Sequence, residues 1–462
     1  MIKFPKDFAW GVAAASYQIE GAALTDGRKP SVWDTFCRKP GAVKNGDCGN
    51  VGPDHYHHWR EDVNLMNEIG VNAYRLSLAW PRIIPDGIGK QNPEGIAFYD
   101  RLIDELLEKG IEPWITLFHW DYPNELFLKG GWLNPDSSDW FAEYTRLVID
   151  LYSDRVTHWI TLNEPQCFIH YGHQTGIHAP GLKLEISDVL KASHNVLLAH
   201  GKAVQTVWAS ARKPFKIGIA QASIFSVPET ESVEDIEAAK KATFSILKRD
   251  TWNTSWWADP IILGHYPEDG LRIMHDSMPI ILDKDMDIIH QPIDFYGVNV
   301  YSADRVRADG NHWQKVEPES DVLCTAMGWT IVPESIYWGP KFIYEHYKIP
   351  IVITENGMAN NDEVGTDGKI HDPQRIDYMR KHLQELGKVI RENLPVQGYF
   401  YWSIMDNFEW AEGFDKRFGL VYVDYQTGKR IPKDSFEWYR NFIRNSRRKS
   451  SGNSSERCFK TI

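Results

Sequence analysis

Short apolar runs rich in Val, Ile, Phe and Tyr alternate along this chain with longer stretches whose apolar residues recur at the helical period. Eight runs read as strands: Phe8 to Val12, Ala73 to Leu78, Pro113 to Phe118, His158 to Leu162, Lys216 to Ala220, Phe295 to Val300, Pro350 to Thr354 and Gly398 to Trp402. Between them, Trp140, Phe141, Tyr144, Leu147, Val148 and Leu151 fall on one helical face. So do Ile376, Met379, Leu383, Leu386 and Ile390, in a segment opened by Asp372 as N-cap and Pro373 in the first turn. A helix near Ile96 to Lys109 stops before Gly110, a residue free to take the left-handed conformation that closes helices. Strands alternating with helices predict an α/β fold, a single (β/α)₈ TIM barrel. The longest gap, between the fifth and sixth strands, leaves room for the long βα loops that build pockets in such barrels.

Composition refines this picture without changing it. A chain of 462 residues could form several average domains, but the unbroken alternation assigns 1–445 to one barrel. From Ser446 to Ile462 the chain is rich in Ser, Arg, Lys and Asn, which predicts a flexible tail. The 19 Trp, 20 Tyr and 20 Phe exceed the needs of packing and suit stacking against sugar rings. A net charge of −12 excludes nucleic-acid partners, which demand a concentrated basic surface. The segment Met1-Ile2-Lys3-Phe4-Pro5 lacks the basic and apolar regions of a signal peptide, and no run approaches a membrane span, so a soluble cytoplasmic protein is expected. Cys37, Cys48, Cys167, Cys324 and Cys458 are odd in number and without CxxC spacing, which predicts reduced thiols. The cluster His55-Tyr56-His57-His58, with Asp54, Glu61 and Asp62, suggests a metal site at first sight. Its histidines fall on different helix faces, Asp54 reads as an N-cap and HExxH spacing is absent, so no metal is expected.

Chemistry enters at two glutamates. Glu164, in Asn163-Glu164-Pro165, follows the fourth strand, and Glu355, in Ile353-Thr354-Glu355-Asn356-Gly357, ends the seventh. Reacting groups of a parallel barrel sit at the carboxyl ends of its strands, and two carboxylates there are the minimum machinery for breaking a glycosidic bond. Gln18, Arg75, His119, Asn299, Tyr301 and Trp402 stand at the same level on other strands. Any one of them alone would read as a surface, ion-pair or core residue. Their joint placement at one rim resists that reading, because burying polar groups without purpose is unfavourable.

With these residues in place, the sequence resembles glycoside hydrolase family 1, the β-glucosidase family, over nearly the whole chain. Phe8-Ala9-Trp10-Gly11-Val12-Ala13-Ala14-Ala15-Ser16-Tyr17-Gln18-Ile19-Glu20 is similar to that family's opening signature. Thr161-Leu162-Asn163-Glu164-Pro165 resembles its acid/base motif, Ile351-Val352-Ile353-Thr354-Glu355-Asn356-Gly357 its nucleophile motif, and the segment from Trp402 to Trp410 its sugar-binding stretch. The resemblance implies hydrolysis of β-glycosides with retention, Glu355 attacking the anomeric carbon while Glu164 protonates the leaving oxygen. It implies that Arg75 and Tyr301 lie against Glu355 and favour its ionised form. Gln18, His119, Asn163, Asn299, Tyr301, Trp402, Glu409 and Trp410 would bind the sugar, with no cofactor. Small β-glycosides such as cellobiose and aryl glucosides are the implied partners, with β-galactosides and β-fucosides as further substrates, and the chain is a monomer or a homo-oligomer. Cys167 would either line the leaving-group side or be a buried thiol. Two other functions compete with this one. A 6-phospho-β-glucosidase would carry a small hydroxyl residue and a lysine where this chain has Glu409-Trp410-Ala411-Glu412, and a silent glycan-binding relative would have lost a glutamate. Asn299-Val300-Tyr301 departs from the paired tyrosines of many members at Val300, a position expected to face away from the pocket.

Overall fold

The computed structural model describes residues 3–222 and 224–450. Eight parallel strands close a barrel in chain order: β1 (Ala9–Ala13), β2 (Ala73–Ser77), β3 (Glu112–Phe118), β4 (His158–Asn163), β5 (Lys216–Ala222), β6 (Phe295–Val300), β7 (Ile351–Asn356) and β8 (Val396–Trp402). β8 pairs back onto β1, with Ala13 opposite Trp402, and Ala13 also meets Arg75 of β2. The carboxyl ends are thereby brought level around one rim.

Size complementarity fills the barrel. Ala9, Ala13, Ala73 and Ala220 cluster with Trp114, Phe295 and Phe400, so the rings occupy the space that the alanines leave. Gly11 belongs to the same fit, since a Cβ there would lie 2.3 Å from the Phe400 ring. Outside, amphipathic helices cover the strands. Pro93 and Pro373 each occupy a first helical position, where the missing N–H has no partner to lose, and Gly110 takes a φ of +70° after the helix Pro93–Glu108.

One expected helix face is sharpened and two expected caps are corrected. Along Ser137–Tyr152 the buried apolar stripe is Phe141, Tyr144, Val148, Ile149 and Tyr152, while Trp140, Leu147 and Leu151 lie at its half-buried margin. Asp372 and Asp54 do stand at the N-cap positions of Pro373–Arg391 and His55–Ile69, but neither side chain caps its helix. Asp372 instead accepts from the Ser435 backbone and hydroxyl and pairs with Arg375, and Asp54 is taken by His57. For Asp372 the charged guanidinium of Arg375 outcompetes a terminal amide for the same carboxylate.

The long connection between β5 and β6 carries helices Val233–Phe244, Ser255–Ile262, Glu268–Met274 and Asp285–Ile289 and a short strand, Ser226–Pro228. That strand joins Asp304–Asp309 and His312–Lys315 in a small sheet beside the barrel. The last helix, Asp434–Ser450, continues five residues into the segment expected as a tail, and 451–462 lie outside the described residues. No helix among the described residues is long and apolar enough to cross a membrane. Within the histidine cluster, His55 turns to Asp62, His57 to Asp54 and His58 to Glu61, three separate pairs. Cys37, Cys48, Cys167 and Cys324 are free, and Cys458 lies outside the described residues.

Candidate active site

The rim of the barrel encloses a cavity of about 430 Å³ whose walls include Glu164, Glu355, His119, Asn163, Asn299, Tyr301, Trp402, Glu409 and Trp410. A larger hollow, about 990 Å³, opens at the opposite end between Ala9, Ala73, Glu112, Trp114, His158 and Lys216, and none of the candidate site residues lines it. Chemistry therefore has to be sought at the carboxyl ends of the strands.

Strand irregularities aim the two glutamates. The pairing of β7 with β6 shifts register between Ile353 and Glu355, and that of β4 with β5 shifts between Ile160 and Asn163. Such shifts re-aim side chains next to active sites. Glu164 then takes a φ of +46°, a left-handed conformation that strains a residue with a Cβ by roughly 1 to 2 kcal/mol. Its backbone N–H is held by the Ala220 carbonyl at 2.8 Å, so β5 sustains the turn. Beyond Glu355 the chain must pass close to β8. A Cβ at Gly357 would lie 1.9 Å from the Trp402 carbonyl oxygen, which is why glycine follows Thr-Glu-Asn.

One hydrogen-bonded network links the two carboxylates. Arg75 Nη1 donates to Glu355 Oε1 at 2.5 Å, and Tyr301 donates its hydroxyl to Glu355 Oε2 at 2.5 Å. The guanidinium also donates through Nη2 to Asn163 Oδ1 at 2.6 Å and through Nε to Thr116 Oγ1 at 3.2 Å. Asn299 Nδ2 donates to Glu164 Oε1 at 2.8 Å and to Asn163 Oδ1 at 3.0 Å, while Thr354 fixes the Asn299 amide by donating to its Oδ1 at 2.6 Å. Because Asn163 Oδ1 accepts twice, its Nδ2 faces His119 Nε2 at 3.0 Å, and that nitrogen must accept. Burial, with Arg75 nearby, holds the His119 pKa well below its ordinary value, so the ring is neutral and carries its proton on Nδ1.

The environments of the two glutamates differ. Burial, reinforced by the Glu355 charge, pushes Glu164 up to about 7, against weaker opposition from Asn299 and Cys167. Burial raises Glu355 too, but Arg75 and the Tyr301 hydroxyl oppose it directly. The negative charge of the pair accordingly rests on Glu355 and the proton on Glu164. Glu409 is pushed up to about 8 by burial and by the charges of Glu355 and Glu164.

Raised carboxyl values carry a stability consequence with a definite sign. Between the ordinary glutamate value and the raised one, the folded state holds a proton that the unfolded chain has released, so stability falls as pH rises through about 7 to 8. Glu409→Gln is expected to stabilise the fold by roughly 2 kcal/mol at pH 9 and by almost nothing at pH 4. Urea unfolding at both pH values checks this, and an equal effect at both would contradict it.

Aromatic rings form the walls. His119 lies between Trp402 and Trp410, with centroids 5.7 and 6.0 Å away and planes within 22° of parallel. Gln18 comes from the short helix Ser16–Ile19, and its Nε2 donates to Asn407 Oδ1 and the Phe408 carbonyl, tying the segment after β1 to the segment after β8. Its Oε1 and the Glu409 Oε2 are buried without a hydrogen-bond partner. Two orphaned acceptors beside stacked rings match the surface of a polyhydroxylated ring ligand.

The family model of glycosyl hydrolase family 1 matches residues 1–448. The chain belongs to glycosyl hydrolase family 1. The 1,4-beta-D-glucan glucohydrolase of Thermotoga neapolitana is 49% identical over 448 residues, covering 96% of this chain and 99% of the relative. The bifunctional beta-D-glucosidase/beta-D-fucosidase of Bifidobacterium breve is 41% identical over 465 residues, covering 95% of this chain and 98% of the relative. Among solved structures, the beta-glucosidase from Thermotoga maritima in complex with glucoimidazole superposes with a TM-score of 0.89 at 47% identity, covering 96% of this chain and 99% of that one.

Within this family 1 site the structure brings every sequence-predicted residue to the rim. Gln18 and Arg75 act from behind the cavity wall, and the others line it. Sequence reasoning missed Trp120, whose Nε1 donates to the Asn163 carbonyl at 2.9 Å, and the further wall residues Tyr171, Ile177, His178, Trp252, Met327 and Trp329. Trp120 stands right after His119 and could have been found there. Tyr171 lies on the short π-helix Cys167–Thr175 and the rest on loops, where no period marks them.

Proposed function

We propose that this chain is a retaining β-glucosidase that removes terminal non-reducing β-D-glucosyl residues through a covalent glycosyl-enzyme intermediate. The observation that carries the reading is the pair of buried glutamates on one cavity, Glu355 held by Arg75 and Tyr301 and Glu164 held only by Asn299 and Cys167. Glu355, charged by Arg75 and Tyr301, attacks the anomeric carbon. Glu164 gives its proton to the leaving oxygen, and afterwards takes one from the water that releases the sugar. Retention asks for carboxyl groups about 5 to 5.5 Å apart, close enough for direct attack.

The sugar's hydroxyls meet Gln18, His119, Asn163, Asn299 and Glu409, with Tyr301 beside the reacting carbon and Trp402 and Trp410 against the ring. His119, proton on Nδ1, acts as a donor. β-Fucosides and β-galactosides are further substrates, in keeping with the dual activity named for the Bifidobacterium relative. Cellobiose and other products of cellulose breakdown, handled in the cytoplasm by a monomer or homo-oligomer, complete the reading.

The phosphorylated-sugar alternative meets a physical objection. The cavity wall holds four acidic side chains, Glu164, Glu355, Glu409 and Glu412, with the negative charge of the catalytic pair on Glu355, and no Lys or Arg to pair with a phosphate. Side-by-side assay of nitrophenyl β-glucoside and its 6-phosphate is expected to show turnover of the plain compound and at least about a hundredfold lower kcat/KM for the phosphorylated one. Activity confined to the phosphate would overturn the substrate class. Nuclear magnetic resonance of the first-formed sugar tests the mechanism, with β-glucose expected and α-glucose fatal to it.

A further inference from the structure

The left-handed turn at Glu164 leads into an unusual segment. Residues Cys167–Thr175 form a π-helix, and the Cys167 N–H bonds back to the Glu164 carbonyl at 2.9 Å. Wide turns of this kind are rare and gather at functional sites. This one folds Cys167 over the side chain three residues before it, so that Sγ donates to Glu164 Oε2 at 3.1 Å inside the cavity wall.

The two oxygens of Glu164 are thus served unequally. Oε1 receives the amide of Asn299, which cannot turn away because Thr354 holds its carbonyl end. Oε2 receives only a thiol, a weak donor on a freely rotating bond. When the carboxyl is protonated, the oxygen that carries the hydrogen becomes the weaker acceptor and loosens or releases its donor. Losing the Asn299 bond would leave a buried N–H unpaired, whereas the thiol yields by rotation. The other ionisable groups whose charges act on Glu164 or are felt by it are Glu355, Arg75, Glu409, Tyr301 and Tyr171. None of them donates a hydrogen bond to Oε2.

We infer that Cys167 is a positioning residue for the proton-transfer step, its weak thiol donor fixing the Glu164 carboxyl while leaving Oε2 as the oxygen that carries and delivers the proton. The inference rests on the reading of Glu164 as the acid/base. A stronger donor at residue 167 stabilises the carboxylate and lowers the pH at which it loses the proton it must deliver, and the absence of any donor does the reverse. The basic limb of the kcat/KM profile is therefore expected to move down by about half a unit to one unit in Cys167→Ser and up by a similar amount in Cys167→Ala. Cys167→Val, which fills the site where alanine empties it, is a second donor-free variant and is expected to follow alanine. A purely packing role would lower activity in these variants without splitting the limb in opposite directions. Limbs that coincide with the native one, or that all move the same way, overturn the inference. Glu164→Ala assayed across leaving groups separates the two ideas. If its loss does not depend on the leaving group, the acid assignment fails. If it does and the Cys167 variants show no split, only the role of Cys167 falls.

Discussion

Glu355→Gly is expected to lower hydrolysis by roughly 10⁵-fold or more, the loss that follows removal of a nucleophile whose partners act as a unit. The variant should still fold. Arg75 loses its carboxylate partner but keeps the Thr354 carbonyl, Asn163 Oδ1 and Thr116 Oγ1 as acceptors, so its buried guanidinium is not stranded. Added azide or formate enters the space vacated on that face of the sugar and attacks in place of the carboxylate. Glu164 remains to protonate the leaving group, so glycosidic cleavage resumes in part. The azide product is expected in the α configuration, inverted relative to the substrate, because only one displacement has occurred. A β-configured azide from this variant would reject Glu355 as the nucleophile.

The barrel was legible because its signal is periodic. Runs such as Ile351 to Thr354 cannot be read as amphipathic helix, and the segments between them carry helical spacing with Pro and Gly at their ends, so each strand was placed within two residues of its observed bounds. Glu164 and Glu355 were legible for a different reason, that a polar residue abruptly ends an apolar strand at the catalytic rim. What escaped depends on contacts between distant segments. Asp372 and Asp54 looked like helix caps, and no local pattern announces that Arg375, Ser435 or His57 takes their carboxylates instead. The register shifts before both glutamates and the positive φ of Glu164 are likewise set by the neighbouring strands. Tyr171 on the π-helix Cys167–Thr175 and Trp252 on the connection between β5 and β6, with ring centroids 4.7 Å apart on the cavity wall, are far apart in the chain, and their meeting is a property of the closed barrel.

Glu164→Ala is expected to separate substrates by leaving group. For alkyl glucosides and cellobiose, whose departing oxygen needs a proton, kcat/KM should fall by about 10² to 10⁴-fold. For a dinitrophenyl glucoside, whose phenolate leaves unaided, the first displacement should stay near the native rate, and a burst followed by slow turnover should appear because the water that releases the sugar has lost its base. The basic limb that reports Glu164, near pH 7 in the free enzyme, should vanish from the profile. Azide here acts on the glycosyl-enzyme, which Glu355 still forms. Needing no base, it completes a second displacement and gives the β-configured azide, the mirror of the outcome at Glu355. The opposite stereochemistry at the two sites is what distinguishes a nucleophile from an acid/base. An equal collapse for every leaving group, or an α-azide from Glu164→Ala, would mean that Glu164 does not transfer the proton.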